Sequence, residues 1–532
     1  MSERRISSVW VVVLGILIGA LAVLVVGKAT EKNRRYRAEA LDWRKLNLVL
    51  QKVDEMYVDT VDYDSVTEAA ISAALAKLDP HSIYMPPVEL EEAETELAGN
   101  FDGIGIQFNV PNDTAIVLEV IPGGPSEKIG LQAGDRLLKV DDKVIAGVKF
   151  PQDSMVRRMK GPAGTKVSLT VLRDGAVIPF EIIRDKIPVH CVDASFMVND
   201  TTGYIRLSKF SRTTYKEVLE AGAELLLSGM KHLVFDIRDN TGGYFDQAML
   251  LSNMFLHKGD MIVFMQGLHH KREEYKADGK GIMQDIGLTV LINEGSASSS
   301  EIFAGAIQDN DRGVIVGRRS FGKGLVQEPV FFTDGSGVRI TVARFYTPSG
   351  RCIQKPYSDD YDYDILKRYN GGEMTDADSI KVDKSEVFYT AGGRKVYGGG
   401  GIIPDVFVPI DTTLASKFYI DCNKKATAMR FASYWFDNHK TQLSAIDDYA
   451  KLLEYLESSS IEEGFLAFAK SKDALVPQPG EWADTRTYLM PQVRALVGRY
   501  SKLGDKAFYH IYLEIDDTYA EALKYHEIIT VR

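Results

Sequence analysis

The sequence is short of the features that would mark several common functions. Its three cysteines, Cys191, Cys352 and Cys422, are odd in number and far apart, so they support neither a disulfide framework nor a metal site. Nine histidines are scattered without an H-E-x-x-H pair, which leaves a metalloprotease without support. Positive charge is also scarce: 63 Lys and Arg stand against 74 Asp and Glu, and the net charge of −11 argues against a nucleic-acid partner. The absence of G-x-x-x-x-G-K-[ST] argues against a phosphate-cradling loop. No G-x-S-x-G elbow accompanies a histidine placed to serve a Ser-His-Asp triad.

What is present suggests several globular domains, because 532 residues exceed the ~250 to 300 that one core usually supports. Residues 6–27 form an uncharged, mostly apolar run of about 20 residues, long enough to span roughly 30 Å of hydrocarbon as a helix. Arg4 and Arg5 precede it, and Ala20-Leu21-Ala22 lies inside the run, which disfavours cleavage there. The expectation is an uncleaved membrane anchor, with a long signal peptide as the alternative. Lys28, Lys32, Arg34, Arg35 and Arg37 on the far side oppose the positive-inside rule, so orientation does not follow from charge.

Residues 41–97 carry apolar side chains at helical spacing, and Asp79-Pro80-His81-Ser82 ends that pattern in a turn, where His81 reads as a turn residue. Residues 98–186 read instead as short strands at 103–108, 115–120 and 167–172 between glycine-rich turns. The glycine-flanked amides of Gly103, Ile104, Gly105 and Ile106 can bind a terminal carboxylate while a strand edge pairs with the peptide. A small β-domain without a ligand is the alternative. Arg157, Arg158 and Lys160 read as a solvated basic face.

From 187 to 411 strands alternate with helices, at 203–207, 215–227, 233–238, 245–255 and 288–292, which implies a mainly parallel sheet with its catalytic loops at strand ends. A further strand is expected at 338–346. Residues 357–390, with YSDDYDYD, read as a polar insertion loop. Residues 412–532 show amphipathic helical patterns at 443–456, 461–468, 488–500 and 519–525 but no motif. Dimerisation, a lid, or a wrap over the α/β core are the roles open to them.

The chemistry concentrates in two strands that each lead into a small-residue turn. After 288–292 comes Gly295-Ser296-Ala297-Ser298-Ser299-Ser300, then apolar residues at helical spacing from Glu301. A serine there sits beside unpaired backbone N–H groups and the positive end of the helix dipole, which can hold an oxyanion. After the strand 313–317 comes Phe321-Gly322-Lys323-Gly324-Leu325-Val326. A lysine between glycines and among apolar residues can lose its hydration, which lowers its pKa and leaves a neutral base for a serine. Singly, such serines are ordinarily a helix cap and such a turn ordinarily a surface loop. Together they describe a Ser-Lys dyad.

GSASSSEIFAGAIQDN followed by RRSFGKGLVQ resembles the active-site core of the carboxy-terminal processing peptidases, also called tail-specific proteases. RDNTGG at 238–243 is similar to the family's R-x-N-x-G-G loop, and TPSGRCIQ at 347–354 to its T-P-x-G-x-x-I-Q tail. Residues 103–106 and 121–140 resemble a PDZ domain. The resemblance covers about residues 40–410 and implies Ser298 as nucleophile and Lys323 as base. It further implies Gln327, one helical turn beyond, as the residue that orients the lysine, with Gly243 and Ser299 as oxyanion-hole amides and Glu301 as the motif's acidic member. No metal or organic cofactor is implied.

The expected fold is a multidomain α/β protein: a transmembrane anchor and flank (1–38), an N-terminal helical region (39–97), a PDZ domain (98–186), a Ser-Lys peptidase core (187–411) and a helical C-terminal region (412–532). The expected function is a serine endopeptidase anchored in the inner membrane, its catalytic part in the periplasm or otherwise outside the cytoplasm. Its partners would be proteins or peptides with free C-terminal tails, and a homodimer is open. Two rivals remain: a Ser-His-Asp hydrolase using His269 or His270, and a catalytically silent or latent PDZ scaffold.

Overall fold

The apolar, β-branched runs of residues 187–411 become the strands of one six-stranded sheet. Val192–Met197 (β1), Thr202–Leu207 (β2), His232–Asp236 (β3), Gly287–Ile292 (β4), Val314–Gly317 (β5) and Val406–Phe407 (β6) lie across it in chain order. Only β1 and β2 pair antiparallel; the other neighbours are parallel. Parallel neighbours need long crossovers, and Thr214–Leu227 (α1), Phe245–Asn253 (α2) and Ser299–Asp309 (α3) lie in them. β3 and β4 are buried at every position, as expected of strands covered on both faces.

Alternation along the strands sends side chains into two different cores. Ile205, Phe235, Val290 and Ile315 pack with Val218, Leu251 and Phe303 from the three helices. Their neighbours Tyr204, Val234, Leu291 and Val316 point the other way and are covered by Leu513, Tyr519 and Ala522, near the end of the chain. The end of the C-terminal region therefore forms a second layer over this sheet, as the wrap among the roles considered for it would have it.

The computed structural model describes residues 44–110, 113–358, 361–412 and 416–525. The run at 6–27 lies outside them, and no helix among the described residues is long and apolar enough to cross a membrane. Residues 44–77 form a separate unit with helices at 44–56 and Tyr63–Leu75. Within the larger unit, Ile83–Met85, a strand the helical reading of 41–97 missed, joins an antiparallel sheet with Met261–Gln266, Glu273–Lys276, Leu325–Phe331 and Gly337–Tyr346.

Residues 106–183 form a second antiparallel sheet whose edge strand is Ile106–Asn109. Helix Gln152–Met159 places Met155 and Met159, four residues apart and so on one face, into its core. Asn100–Gly103 pairs with Asp185–Pro188, tying the entry and exit of this domain together. The C-terminal helices run Lys417–Lys424, Thr427–Leu443, Tyr449–Ser458, Ile461–Asp473, Glu481–Gly498, Asp505–Tyr512 and Asp517–Ala522. The first two and Asp505–Tyr512 escaped the sequence reading. They bundle around Phe431, Phe436, Phe465 and Leu489.

Candidate active site

Because β3, β4 and β5 are parallel neighbours, the loops leaving their carboxyl ends lie side by side. The loop after β4 turns sharply: Ser298, directly before α3, sits at φ 54°, ψ −113°, a conformation that side chains with a Cβ rarely adopt. Neighbouring serines hold that turn to the loop after β3. Ser296 Oγ donates to the Ile237 carbonyl at 2.8 Å, Ser300 Oγ to that of Asn240 at 2.7 Å, and Ser299 Oγ to that of Gly243 at 3.0 Å. All three are buried, whereas Ser298 is partly exposed and has no such tie to that loop. The side chains of Ser296, Ser299 and Ser300 thus have a structural task, which Ser298 does not share.

Two glycines let the loop after β3 pack closely, Gly242 against this turn and Gly243 against Phe210. A Cβ on Gly242 would lie 2.8 Å from Ser298 Cβ, and one on Gly243 only 2.0 Å from the Phe210 carbonyl oxygen, at φ values of 97° and 147°. Among the described residues the amides of Gly243 and Ser299 have no hydrogen-bond partner.

Glu301 joins the loops after β4 and β5. It is fully buried, and its carboxylate accepts four donors: Ser320 Oγ (2.6 Å) and the Gly322 amide (2.7 Å) on Oε1, and the amides of Ser298 (2.9 Å) and Lys323 (2.8 Å) on Oε2. Burial pushes its pKa above the ordinary carboxylate value, against the pull of those hydrogen bonds. Lys323 is held below the usual lysine range, first by burial and then by the charge of Arg339, with Glu301 and Asp79 pulling the other way. No hydrogen bond joins the Ser298 hydroxyl to the Lys323 amine among the described residues.

Gln327 is not one helical turn beyond the lysine. It lies in the strand Leu325–Phe331, just after a register shift between Val326 and Gln327, and its amide donates to the His81 carbonyl at 2.5 Å. The lysine turn is fixed by residues to which the sequence reading gave no role. Gln354 Oε1 accepts the Gly324 amide at 2.9 Å, Gln354 Nε2 donates to the Tyr361 hydroxyl at 3.2 Å, and that hydroxyl lies 2.7 Å from His81 Nε2. The Lys355 amine sits over the rings of Phe321 and Tyr361, 4.0 and 4.1 Å from their centroids. Arg368 donates to the carbonyls of Ser320 and Arg319, and Glu373 pairs with both arginines.

The segment 357–390 is accordingly not a plain polar loop. It carries helix Asp364–Asn370 and buries Tyr361, Arg368, Glu373 and Met374 behind the lysine turn. Gln354, inside the T-P-x-G-x-x-I-Q match, was the one signal that pointed here.

The other candidates lie elsewhere. His269 and His270 occupy the turn between Met261–Gln266 and Glu273–Lys276, and neither bonds to Ser298. Gly103, Ile104, Gly105 and Ile106 lead into the edge strand Ile106–Asn109. There Ser126 fixes the Ile104 carbonyl through its hydroxyl at 2.6 Å, and the amides of Ile104 and Gly105 have no partner among the described residues. A cleft of 1140 Å3 between this domain and the C-terminal helices, lined by Leu118, Glu119, Asp437, Lys440 and Arg499, contains none of the candidate residues. No cluster of three or more metal-ligating side chains occurs among the described residues.

Residues 201–363 match the family model of peptidase family S41, and residues 103–183 match that of the PDZ domain. The chain is 34% identical over 348 residues to a carboxy-terminal-processing protease of Bartonella bacilliformis, an alignment spanning 64% of this chain and 79% of that protein. It is 31% identical over 348 residues to the carboxy-terminal processing protease CtpA of Bacillus subtilis, spanning 65% and 74%. A solved photosystem II D1 C-terminal processing protease is 29% identical, covering 67% of this chain and 86% of its own, with a TM-score of 0.35.

Proposed function

The chain belongs to the carboxy-terminal processing proteases of peptidase family S41, and on that basis we propose that it cuts protein substrates captured by their C-terminal tail, with Ser298 as nucleophile and Lys323 as general base. The observation that carries this reading is the Glu301 carboxylate, one oxygen of which holds the backbone amides of both residues. That contact fixes the two turns against each other.

The Lys323 amine, its pKa depressed by burial, takes the proton from Ser298 as Oγ bonds to the scissile carbonyl carbon. The carbonyl oxygen becomes an oxyanion and meets the free amides of Gly243 and Ser299 at the N-terminus of α3. Lys323 then gives its proton to the leaving amine as the C–N bond breaks. The acyl group remains on Ser298 until water, deprotonated by the same lysine, releases it. Gln327, whose amide donates to the His81 carbonyl, would steady the strand that leaves the lysine turn. The free amides of Ile104 and Gly105 would receive the tail's carboxylate, and the edge of Ile106–Asn109 its backbone. The run at 6–27 would anchor the chain in the inner membrane with its catalytic part outside the cytoplasm.

The missing Ser298–Lys323 hydrogen bond favours a second reading, a latent protease or silent scaffold. Catalytic contacts often tighten only when substrate binds, so it ranks second. The test is cleavage of an unfolded protein with an apolar tail by the full chain in detergent. Wild type should cut, and Ser298→Ala and Lys323→Ala should bind the tail without cutting. Undiminished cleavage by either variant removes the dyad; tail binding without cleavage by wild type supports the second reading.

A further inference from the structure

We propose that Asp516, in the C-terminal helical region, is a positioning residue for the loop after β3, acting through Arg238. The inference rests on the reading above, in which the amides of Gly243 and Ser299 receive the oxyanion.

Arg238 opens the loop, and its guanidinium is gripped from two sides. Nε and Nη2 donate to Asp236 at the end of β3, at 2.6 to 3.1 Å, while Nη1 makes two bonds to Asp516, at 2.9 and 2.7 Å. Asp236 is wholly buried and also accepts from Arg206 and from the Tyr204 hydroxyl, both at 2.8 Å. Two arginines therefore share one buried carboxylate, and Asp516 supplies a second negative charge beside them. Without it Arg238 has only Asp236, which it shares with Arg206, itself 3.8 Å from the exposed Asp239, and the relief available is to swing away from Asp236 toward water.

That movement would reach the oxyanion site. Asn240, two residues on, accepts the Gly242 amide on its side chain at 2.9 Å, and its carbonyl takes the Ala297 amide and the Ser300 hydroxyl. A shift at Arg238 thus moves the Gly243 amide relative to Ser298. Small misplacements of this kind cost rate without costing ground-state affinity.

Asp516 is also the cap of helix Asp517–Ala522, accepting the Tyr519 amide at 2.9 Å. Asparagine caps equally well, so Asp516→Asn removes the charge and keeps the cap. The experiment measures kcat, KM and tail binding for Asp516→Asn, Asp516→Glu, Arg238→Gln and the double variant Asp516→Asn/Arg238→Gln, in the full chain. We expect Asp516→Asn to lower kcat by about tenfold or more, with KM and tail binding within about twofold. Asp516→Glu should recover most of the loss, and Asp516→Asn should cost nothing further once Arg238 is Gln. An unchanged kcat in folded Asp516→Asn protein overturns the proposal, as does a loss that multiplies with that of Arg238→Gln. If Asp516→Asn alone does not fold, the double variant, which removes both charges, against Arg238→Gln alone still decides. Ser298→Ala run alongside separates the two failures, because cleavage surviving there sinks the active-site reading itself.

Discussion

The backbone amide of Lys323 donates to Glu301 Oε2 at 2.8 Å, on the same oxygen that accepts the amide of Ser298. A neutral isostere cannot reproduce this. Glu301→Gln turns one of two acceptor oxygens into an NH2 that faces a buried N–H, so at least one donor goes unpaired. The expected cost is about 2 kcal/mol of stability or more, with kcat lower by about a hundredfold because both turns lose their common anchor. Denaturant unfolding and steady-state kinetics measure the two effects, and a wild-type kcat would show that the bridge does not position the pair.

Arg339 is the charge that helps burial to hold the Lys323 amine low. Catalysis by a neutral lysine rises with pH as the amine loses its proton, so the acid limb of the pH–rate profile reports that pKa. Removing a neighbouring positive charge makes the ammonium form easier to keep and raises the pKa. Arg339→Gln should therefore move the acid limb of kcat to higher pH, lower kcat at neutral pH, and leave the alkaline plateau within about twofold. A shift in the opposite direction would remove Lys323 as the titrating base.

The sequence carried the catalytic turns because each is local. An apolar run, a serine-rich turn and a helical period locate β4, Ser298 and α3 within about 20 contiguous residues. Gln327 was misplaced because a register shift in the strand after the lysine has no periodicity to betray it. The Tyr361, Arg368 and Glu373 cluster was hidden because acidic and aromatic residues between glycines read as solvated loop, yet each charge found a buried partner. The C-terminal layer was illegible for another reason: Arg238 and Asp516 are 278 residues apart, and nothing local links them.

Capture of a free carboxylate by the Gly103–Ile106 turn predicts a dependence on the tail's terminal charge. Amidation removes that charge and the charge-assisted bonds to the Ile104 and Gly105 amides. Binding of a tail peptide to the catalytically inert Ser298→Ala chain should weaken several-fold or more, at about 1.4 kcal/mol per tenfold. Equal affinity for acid and amide, read by fluorescence anisotropy, would remove this turn as the tail receptor.

Ending the chain at residue 411 tests whether the last layer is structural. Tyr204, Val234, Leu291 and Val316 line one face of the catalytic sheet, and the truncation removes Leu513, Tyr519 and Ala522, which cover them. Each large apolar side chain so exposed forfeits about 1.5 to 3 kcal/mol. Arg238 also loses Asp516 and keeps only Asp236, which it shares with Arg206. These losses are comparable to the whole stability of an ordinary domain, about 5 to 15 kcal/mol. The truncated chain should therefore aggregate or bind a hydrophobic dye, with no residual cleavage. A soluble, cooperatively unfolding and active 1–411 chain would mean that the sheet needs no second layer and that residues 412–532 serve some other end.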